Sequence, residues 1–308
     1  MDVLTPNKAK LTPALAKLFF YYNMTCLGDR MKDYEAAPLY HDGKDYVLPN
    51  DGKILIARID GHNFSTFTRG FQKPLDPRLL SAMISTAQDL LKKFQAQTAY
   101  TQSDEITLVF VPVKDEATGL WREWPHGGRL IKLCTLFSSY AAARFNFHLE
   151  KTLASIGTDS LKEETVTKIM QHEAHFDARL FAVPNATEAY NNVYWRASYD
   201  CARNSVHGLA MCHFSPKELH GKNRSEMKQM LLEKKVDYEA MPDAFKFGTF
   251  VKKKLETIDA IDRKTGESVK TTRTVQVSFS KKDFNQEFII SRYEDSVKQN
   301  GISTMCDL

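Results

Sequence analysis

Asp60 and Asp104 are the acids whose placement in the chain suggests chemistry. Asp60 closes the apolar run Lys53-Ile54-Leu55-Ile56-Ala57-Arg58-Ile59, and Asp104 stands with Glu105 in the polar stretch Gln102-Ser103-Asp104-Glu105, 44 positions later. Two carboxylates meeting at one sheet edge repel each other unless a cation lies between them, and such hard oxygen ligands suit Mg²⁺. A pair of these ions about 3.5–4 Å apart can activate a 3′-hydroxyl and steady departing phosphate oxygens. Gly61 has no Cβ, so its carbonyl could approach an ion closely. The competing reading makes Asp60-Gly61 and Ser103-Asp104-Glu105 two ordinary turns, because Asp, Ser and Gly are turn residues. Arg69 and Lys73 lie in the connection after Asp60, where a lysine could reach the β/γ-phosphates of a triphosphate or simply stay solvated. Arg129 and Lys132, three apart at a predicted helix start, share a face and could bind phosphate with help from the helix dipole; a hydrated first turn is the alternative.

The elements that must carry these residues can be read from periodicity. Residues 13–37 are expected to be mainly helical, with Leu15, Leu18, Phe19 and Tyr22 at three- and four-residue steps and Thr12-Pro13 as its start. The run 53–59 is a buried strand ending at an Asp60-Gly61 turn. Asp76-Pro77 opens an amphipathic helix whose apolar face runs from Leu79 through Leu90, Leu91 and Phe94. Thr98–Tyr100 and Ile106–Val111 flank a tight connection and form a hairpin. Gly127-Gly128 opens a second long helix reaching about residue 149, and a strand at 178–183 stops at Pro184. Thr187 is read as the cap of a third helix reaching about residue 212, followed by a helix at 223–235. A last hairpin pairs 248–258 with 269–279 around Lys264-Thr265-Gly266. The order β, α, β-turn-β, α, β is a split βαβ pattern, giving an α+β, ferredoxin-like antiparallel sheet packed with helices. Polymerase palms and nucleotide cyclases use this arrangement, as do many binding proteins. Residues 1–160 are expected to form the palm-like core with its N-terminal helix, and 161–308 to continue the same compact unit.

Composition narrows the class. The chain has 308 residues, 43% hydrophobic and 26% charged, with 42 Lys+Arg against 38 Asp+Glu, as in an ordinary globular protein with a substantial core. A net charge of +4 is too small to indicate nucleic-acid binding by itself. Five cysteines without C-x-x-C spacing argue for reduced thiols in a cytosol-like compartment, and no run approaches the roughly 18 apolar residues of a membrane span. A basic N-terminal stretch keeps an organellar address as the second choice to a cytoplasmic one. His172, His175, Cys201, His207, Cys212 and His213 match no common structural zinc spacing.

The ordered set Arg58-Ile59-Asp60-Gly61-His62-Asn63-Phe64, Lys73-Pro74, Gln102-Ser103-Asp104-Glu105, Phe176-Asp177-Ala178-Arg179 and Trp195-Arg196 resembles the tRNA-His guanylyltransferase family, whose guanylyltransferase-like branch includes 3′-to-5′ polymerases. The resemblance implies a palm-like core using two Mg²⁺ ions. Asp60 and Asp104 would be side-chain ligands and Gly61 a carbonyl ligand, with Ser103 and Glu105 supporting them. Lys73 would hold triphosphate, and Arg58, His62, Asn63, Phe64 and Ser65 would join Arg129 and Lys132 around the nucleotide. The implied substrates are ATP, GTP or another nucleoside triphosphate, and tRNA, with no membrane partner and a homo-oligomer, commonly a tetramer. In the implied reaction ATP adenylylates a tRNA 5′-monophosphate, and the 3′-hydroxyl of an incoming nucleotide then expels AMP.

Two departures bear on the RNA. Where tRNA-His enzymes carry His-Ile-Asn-x-x-Tyr-Asn after the Trp-Arg pair, this chain has Tyr199-Asp200-Cys201-Ala202-Arg203-Asn204-Ser205, and Ser65 replaces a frequent His. Both favour the branch that repairs truncated tRNA 5′ ends over guanosine addition to tRNA-His. Arg196, Arg203 and Asn204 are expected to contact RNA or nucleotide, or else to pair internally around a core Trp195. Segment 246–282 holds ten Lys/Arg against four Asp/Glu, and Lys252 and Lys253 would help make a basic RNA-binding edge, or solvated charge that blocks sheet pairing. A catalytically idle RNA- or nucleotide-binding protein is the contrasting class, and retention of Asp60, Asp104 and Lys73 stands against it.

Overall fold

The computed structural model describes residues 24–35, 40–41, 44–261, 264 and 266–294. Its frame is a six-stranded sheet: β1 (Ile54–Gly61), β2 (Thr98–Gln102), β3 (Glu105–Phe110), β4 (Phe176–Val183), β5 (Thr249–Ile261) and β6 (Ser268–Phe279). The strand order is β4-β1-β3-β2-β5-β6 and every pairing is antiparallel. The first four strands have the split βαβ topology expected from the sequence. Strands β4 to β6, from beyond residue 160, join the same sheet.

Strand β1 reads as an unbroken apolar run because both of its faces are covered. Leu55, Ala57 and Ile59 pack under α2 (Pro77–Phe94) and α3 (Leu130–Ile156) with Ala87, Leu90, Phe137 and Phe145. Ile54 and Ile56 point the other way, into a core with Tyr190 and Val193 of α5 (Ala186–Trp195) and Phe288 of the short helix Gln286–Ile290. With a side-chain period of two, Arg58 and Asp60 must continue the second face. Helix α1 (Met24–Glu35) lies beside α5 and β4, with Leu27 and Met31 packed on Trp195. Helix α4 (Glu163–Met170) leads into β4. A third small core joins α6 (Ala202–Ala210) to α7 (Arg224–Glu233) through Leu209, Leu231 and Tyr238.

Several local expectations need correction. Asp60-Gly61 is not a turn: β1 stays paired through both residues, Asp60 with β3 and β4 and Gly61 with β4. The third helix is capped by Asn185, whose side chain accepts from the Glu188 amide, while Thr187 lies inside the first turn and donates to Gln286. That helix does not run straight to 212, since Arg196–Cys201 form a π-helical turn between α5 and α6. The N-terminal helix is described only from Met24, and residues 13–23 lie outside the described residues, as do Cys306 and Thr265. Among the described residues no helix is long and apolar enough to cross a membrane.

Candidate active site

Strand pairing brings the acids together. Asp60 lies directly opposite Glu105 on one side and Asp177 on the other, so the three side chains share a sheet face. The hairpin turn between β2 and β3 is only Ser103-Asp104, with Ser103 in the left-handed region at φ 50°. This turn is fastened to the end of β1 by the Gly61 amide, which donates to the Asp104 carbonyl at 3.0 Å. One main-chain bond therefore fixes the spacing of the two connections that carry Asp60 and Asp104. Gly61 is required by space rather than by its dihedral angle, because a Cβ there would collide with the Phe64 ring. Phe64 is itself held by Phe67, Phe145 and Phe176.

The electrostatics follow from this crowding. Burial raises the Asp60 carboxyl above its ordinary value, and the neighbouring Asp104 charge raises it further, against the pull of Arg58. Asp104 is also raised by burial, opposed by a hydrogen bond from the Ser103 hydroxyl and by the Lys73 charge. Among the described residues neither aspartate is ion-paired, although both face negative charge. No group of three or more His, Cys, Asp or Glu side chains forms a closed metal cage among the described residues. Two under-compensated carboxylates at an open edge nonetheless suit Mg²⁺, which keeps several waters and takes one or two protein carboxylates plus substrate phosphates.

A cavity of ≈ 350 Å³ adjoins Asp104, within the size range of ligand pockets. Its polar wall includes Ser65, Thr68, Lys73, Gln102, Ser103 and Asn204, and its apolar wall Leu79, Met83 and Phe245. The Lys73 loop is positioned by Asp76, which accepts from the Gln72 amide at 2.9 Å while capping α2 through the Arg78 amide. Pro77 at the first helical position and the Asp76 cap are as the sequence suggested. His62 is exposed and stacks on His175, Asn63 adopts a left-handed conformation to start a short helix, and Ser65 lies at the cavity mouth.

Other expected ligand contacts lie elsewhere. Arg58 is buried and paired with Glu35. Arg129 precedes α3, bridged to Val47, and α3 begins beyond the end of β3 that pairs with Leu55. Arg129 and Lys132 therefore stand at the opposite end of the sheet from Asp60. Arg196 is likewise buried, pairing with Glu35 at 2.9 Å and with Glu105 and Asp200 at 3.2 Å each. Arg203 is exposed but paired with Asp200 at 2.6 Å, whereas Asn204 faces the cavity. Lys252 is fully buried, donating to Thr98 and to the Phe288 and Ser291 carbonyls, and Lys253 is buried against Gln95. Neither lysine offers its charge to an exposed edge. Beyond them, residues 254–274 carry five Lys/Arg against four Asp/Glu, so the projecting ribbon is nearly neutral.

Sequence patterns had not singled out Glu35, Asp200 or Gln102. Glu35 and Asp200 matter through partners distant in the chain or across a helix turn, and no local motif announces them. Gln102 was visible only as part of the hairpin, yet its buried side chain lines the cavity next to Ser103.

Comparisons with known proteins agree with this fold. A profile of the tRNAHis guanylyltransferase family matches residues 28–184. Protein R259 of Acanthamoeba polyphaga mimivirus, itself uncharacterised, is 35% identical over 272 residues, or 87% of this chain and 90% of that protein. The tRNA(His) guanylyltransferase of Saccharomyces cerevisiae is 27% identical over 234 residues, covering 70% of this chain and 87% of that enzyme. A solved bacterial tRNA(His) guanylyltransferase-like protein in complex with ATP has a TM-score of 0.57 and 25% identity, over 92% of this chain and 100% of its own.

Proposed function

Since this chain belongs to the tRNA(His) guanylyltransferase family, we propose that it repairs truncated tRNA 5′ ends by template-dependent nucleotide addition in the 3′-to-5′ direction. Membership makes it a nucleotidyltransferase acting on tRNA. The reaction runs in two transfers. A 5′-monophosphate oxygen attacks the α-phosphorus of ATP and pyrophosphate leaves. The 3′-hydroxyl of GTP or another nucleotide then attacks the activated 5′ phosphorus and AMP leaves; water finally hydrolyses the new terminal triphosphate to a monophosphate, releasing pyrophosphate. No protein nucleophile is needed, because alignment and charge neutralisation carry phosphoryl transfer.

The observation that carries this reading is the Asp60–Asp104 pair, set by the Gly61–Asp104 bond and opening beside a cavity lined by Lys73. Asp60 and Asp104 would hold Mg²⁺, which when bound would make the attacking hydroxyl more acidic and neutralise charge on the leaving phosphates. Ser103 orients the Asp104 carboxylate, Lys73 supplies charge to the triphosphate, and Leu79, Met83 and Phe245 offer an apolar surface to a base. The carboxamides of Gln102 and Asn204 in that wall can both donate to and accept from a nucleoside, as can the hydroxyls of Ser65, Thr68 and Ser103.

Template-dependent repair is favoured over tRNA-His guanylylation because Asn204 and Ser205, which belong to the departing motif, line the cavity, as does Ser65. Guanosine addition to tRNA-His is the second reading, favoured by the named activity of the yeast relative. The two separate in one assay with 5′-monophosphorylated tRNAs, ATP, GTP and Mg²⁺. We expect extension of a tRNA lacking its first nucleotide opposite a templating C. Preferred addition to full-length tRNA-His would invert the order, and no product from either would remove the polymerase reading.

A further inference from the structure

Glu105 stands opposite Asp60 in the ladder, yet its carboxylate meets arginines. Its Oε2 lies 3.2 Å from Arg196 Nη1 and 4.0 Å from Arg58 Nε. The same Arg196 reaches Glu35 Oε1 at 2.9 Å and Asp200 Oδ2 at 3.2 Å, and Glu35 Oε2 accepts from Arg58. All five side chains are at most 10% exposed. One ion cluster thus joins α1, β1, β3 and the π-helical turn next to the Asp60–Asp104 edge. Arg58 and Arg196, which the sequence reading assigned to nucleotide and RNA, are paired with carboxylates instead.

We propose that Glu35 and Arg196 are positioning residues: they hold Glu105 away from the cation edge, so that Asp60 and Asp104 alone face it. Through Asp200, which also binds the exposed Arg203, they tie that setting to the Cys201–Ser205 wall of the cavity. The proposal rests on the metal-dependent nucleotide site described above. Its physical basis is the cost of buried charge. Without Arg196, Glu105 would be a third carboxylate beside Asp60 with only Arg58, 4.0 Å away, left as counter-charge. Glu105 Oε1 is buried and has no hydrogen-bond partner in the protein, so a lone pair is ready to compete for the cation once the side chain is released. A lysine cannot replace Arg196 fully, because one guanidinium fork here serves three carboxylates on different elements. Partners behind metal ligands commonly contribute 10–100-fold to metal affinity.

The test is Mn²⁺ binding to the full chain with a non-hydrolysable GTP analogue, followed by electron paramagnetic resonance, with thermal unfolding measured in parallel. Arg196→Met and the isosteric Glu35→Gln are each expected to weaken Mn²⁺ binding about tenfold or to change its stoichiometry. Metal-free affinity for the analogue should stay near wild type. Arg196→Lys should fall between, and adding Glu105→Gln to Arg196→Met should restore Mn²⁺ affinity to within about threefold of wild type, because the stray charge is gone. Lys252→Met, which perturbs the fold away from the cluster, should leave Mn²⁺ binding unchanged. A folded Arg196→Met with wild-type affinity and stoichiometry would overturn the proposal, as would a folded double variant that shows no rescue. Should Arg196→Met fail to fold, the same two outcomes are read from Arg196→Lys and from Arg196→Lys with Glu105→Gln. A wild-type chain that binds no Mn²⁺ with the analogue would remove the nucleotide-site reading and this one with it. Binding in the wild type with silent variants would remove this one alone.

Discussion

At the scale of single residues, the site depends on charges the protein itself leaves under-compensated. Asp60 and Asp104 are both pushed upward by burial, and Asp104's charge raises Asp60 further. A divalent cation relieves that repulsion, so its binding is linked to stability. Asp104→Asn removes one of the two charges. It should abolish most of the Mg²⁺-dependent thermal stabilisation by GTP and lower turnover by at least about a hundredfold. Unchanged metal dependence in that variant would exclude Asp104 as a ligand. The sequence made these acids legible because their spacing and surrounding β-prone runs are local properties. It did not reveal which arginines are buried. Arg58 and Arg196 are neutralised by Glu35, 23 and 161 positions away, and a charge looks the same in a sequence whether its partner is water or a distant carboxylate.

At the scale of elements, strands and caps do the positioning. Strand β1 extends through Asp60-Gly61 because the β4 ladder, joined by β3 at Asp60, overrules the turn preference of those residues. Gly61→Ala would drive a methyl group into the Phe64 ring. Overpacking of this kind costs about 1–3 kcal/mol, and relief by moving β1 would carry Asp60 away from Asp104. Chemical denaturation should show that loss, together with weaker metal-dependent nucleotide binding. Lys252 clamps the helix Gln286–Ile290 against β2 and β5, and burial pushes its ammonium down to about 7. Between about pH 7 and the usual lysine range, the folded chain binds fewer protons than the unfolded one at this residue, so stability rises with pH. Relative to Lys252→Met, wild type should therefore gain up to about 1.4 kcal/mol per pH unit in that window. A pH-independent difference measured by urea unfolding would contradict the buried, readily deprotonated lysine. Periodicity had exposed α2, its Asp76 cap and both hairpins. The π-helical turn and the Lys252 cage depend on packing between elements, which a linear pattern does not encode.

At the scale of the whole molecule, topology decides which expected sites can cooperate. The split βαβ order places Asp60, the hairpin turn and the Lys73 loop at one end of the sheet, and sends Arg129 and Lys132 to the other. The β-hairpin at the chain's basic segment buries Lys252 and Lys253, while its projecting part is close to neutral. Replacing residues 255–274 by a two-residue Asn-Gly turn between the paired Lys254 and Val275 should preserve folding. It should also change the slope of log affinity for tRNA against log salt by less than about one, since few phosphate contacts would be lost. A larger drop in slope would restore the ribbon as an RNA-binding edge.

The hydrogen bond from Gly61 to Asp104 also provides an internal reporter. Because it is made by main-chain atoms, no side-chain substitution other than proline at position 61 deletes it outright, and its proton is exchangeable with solvent only when the hairpin turn separates from the strand. Isotope exchange at this single amide would therefore time the opening of the Asp60–Asp104 edge without a label or a mutation. Slower exchange on addition of nucleotide and metal would mark the moment at which the two connections become one rigid unit.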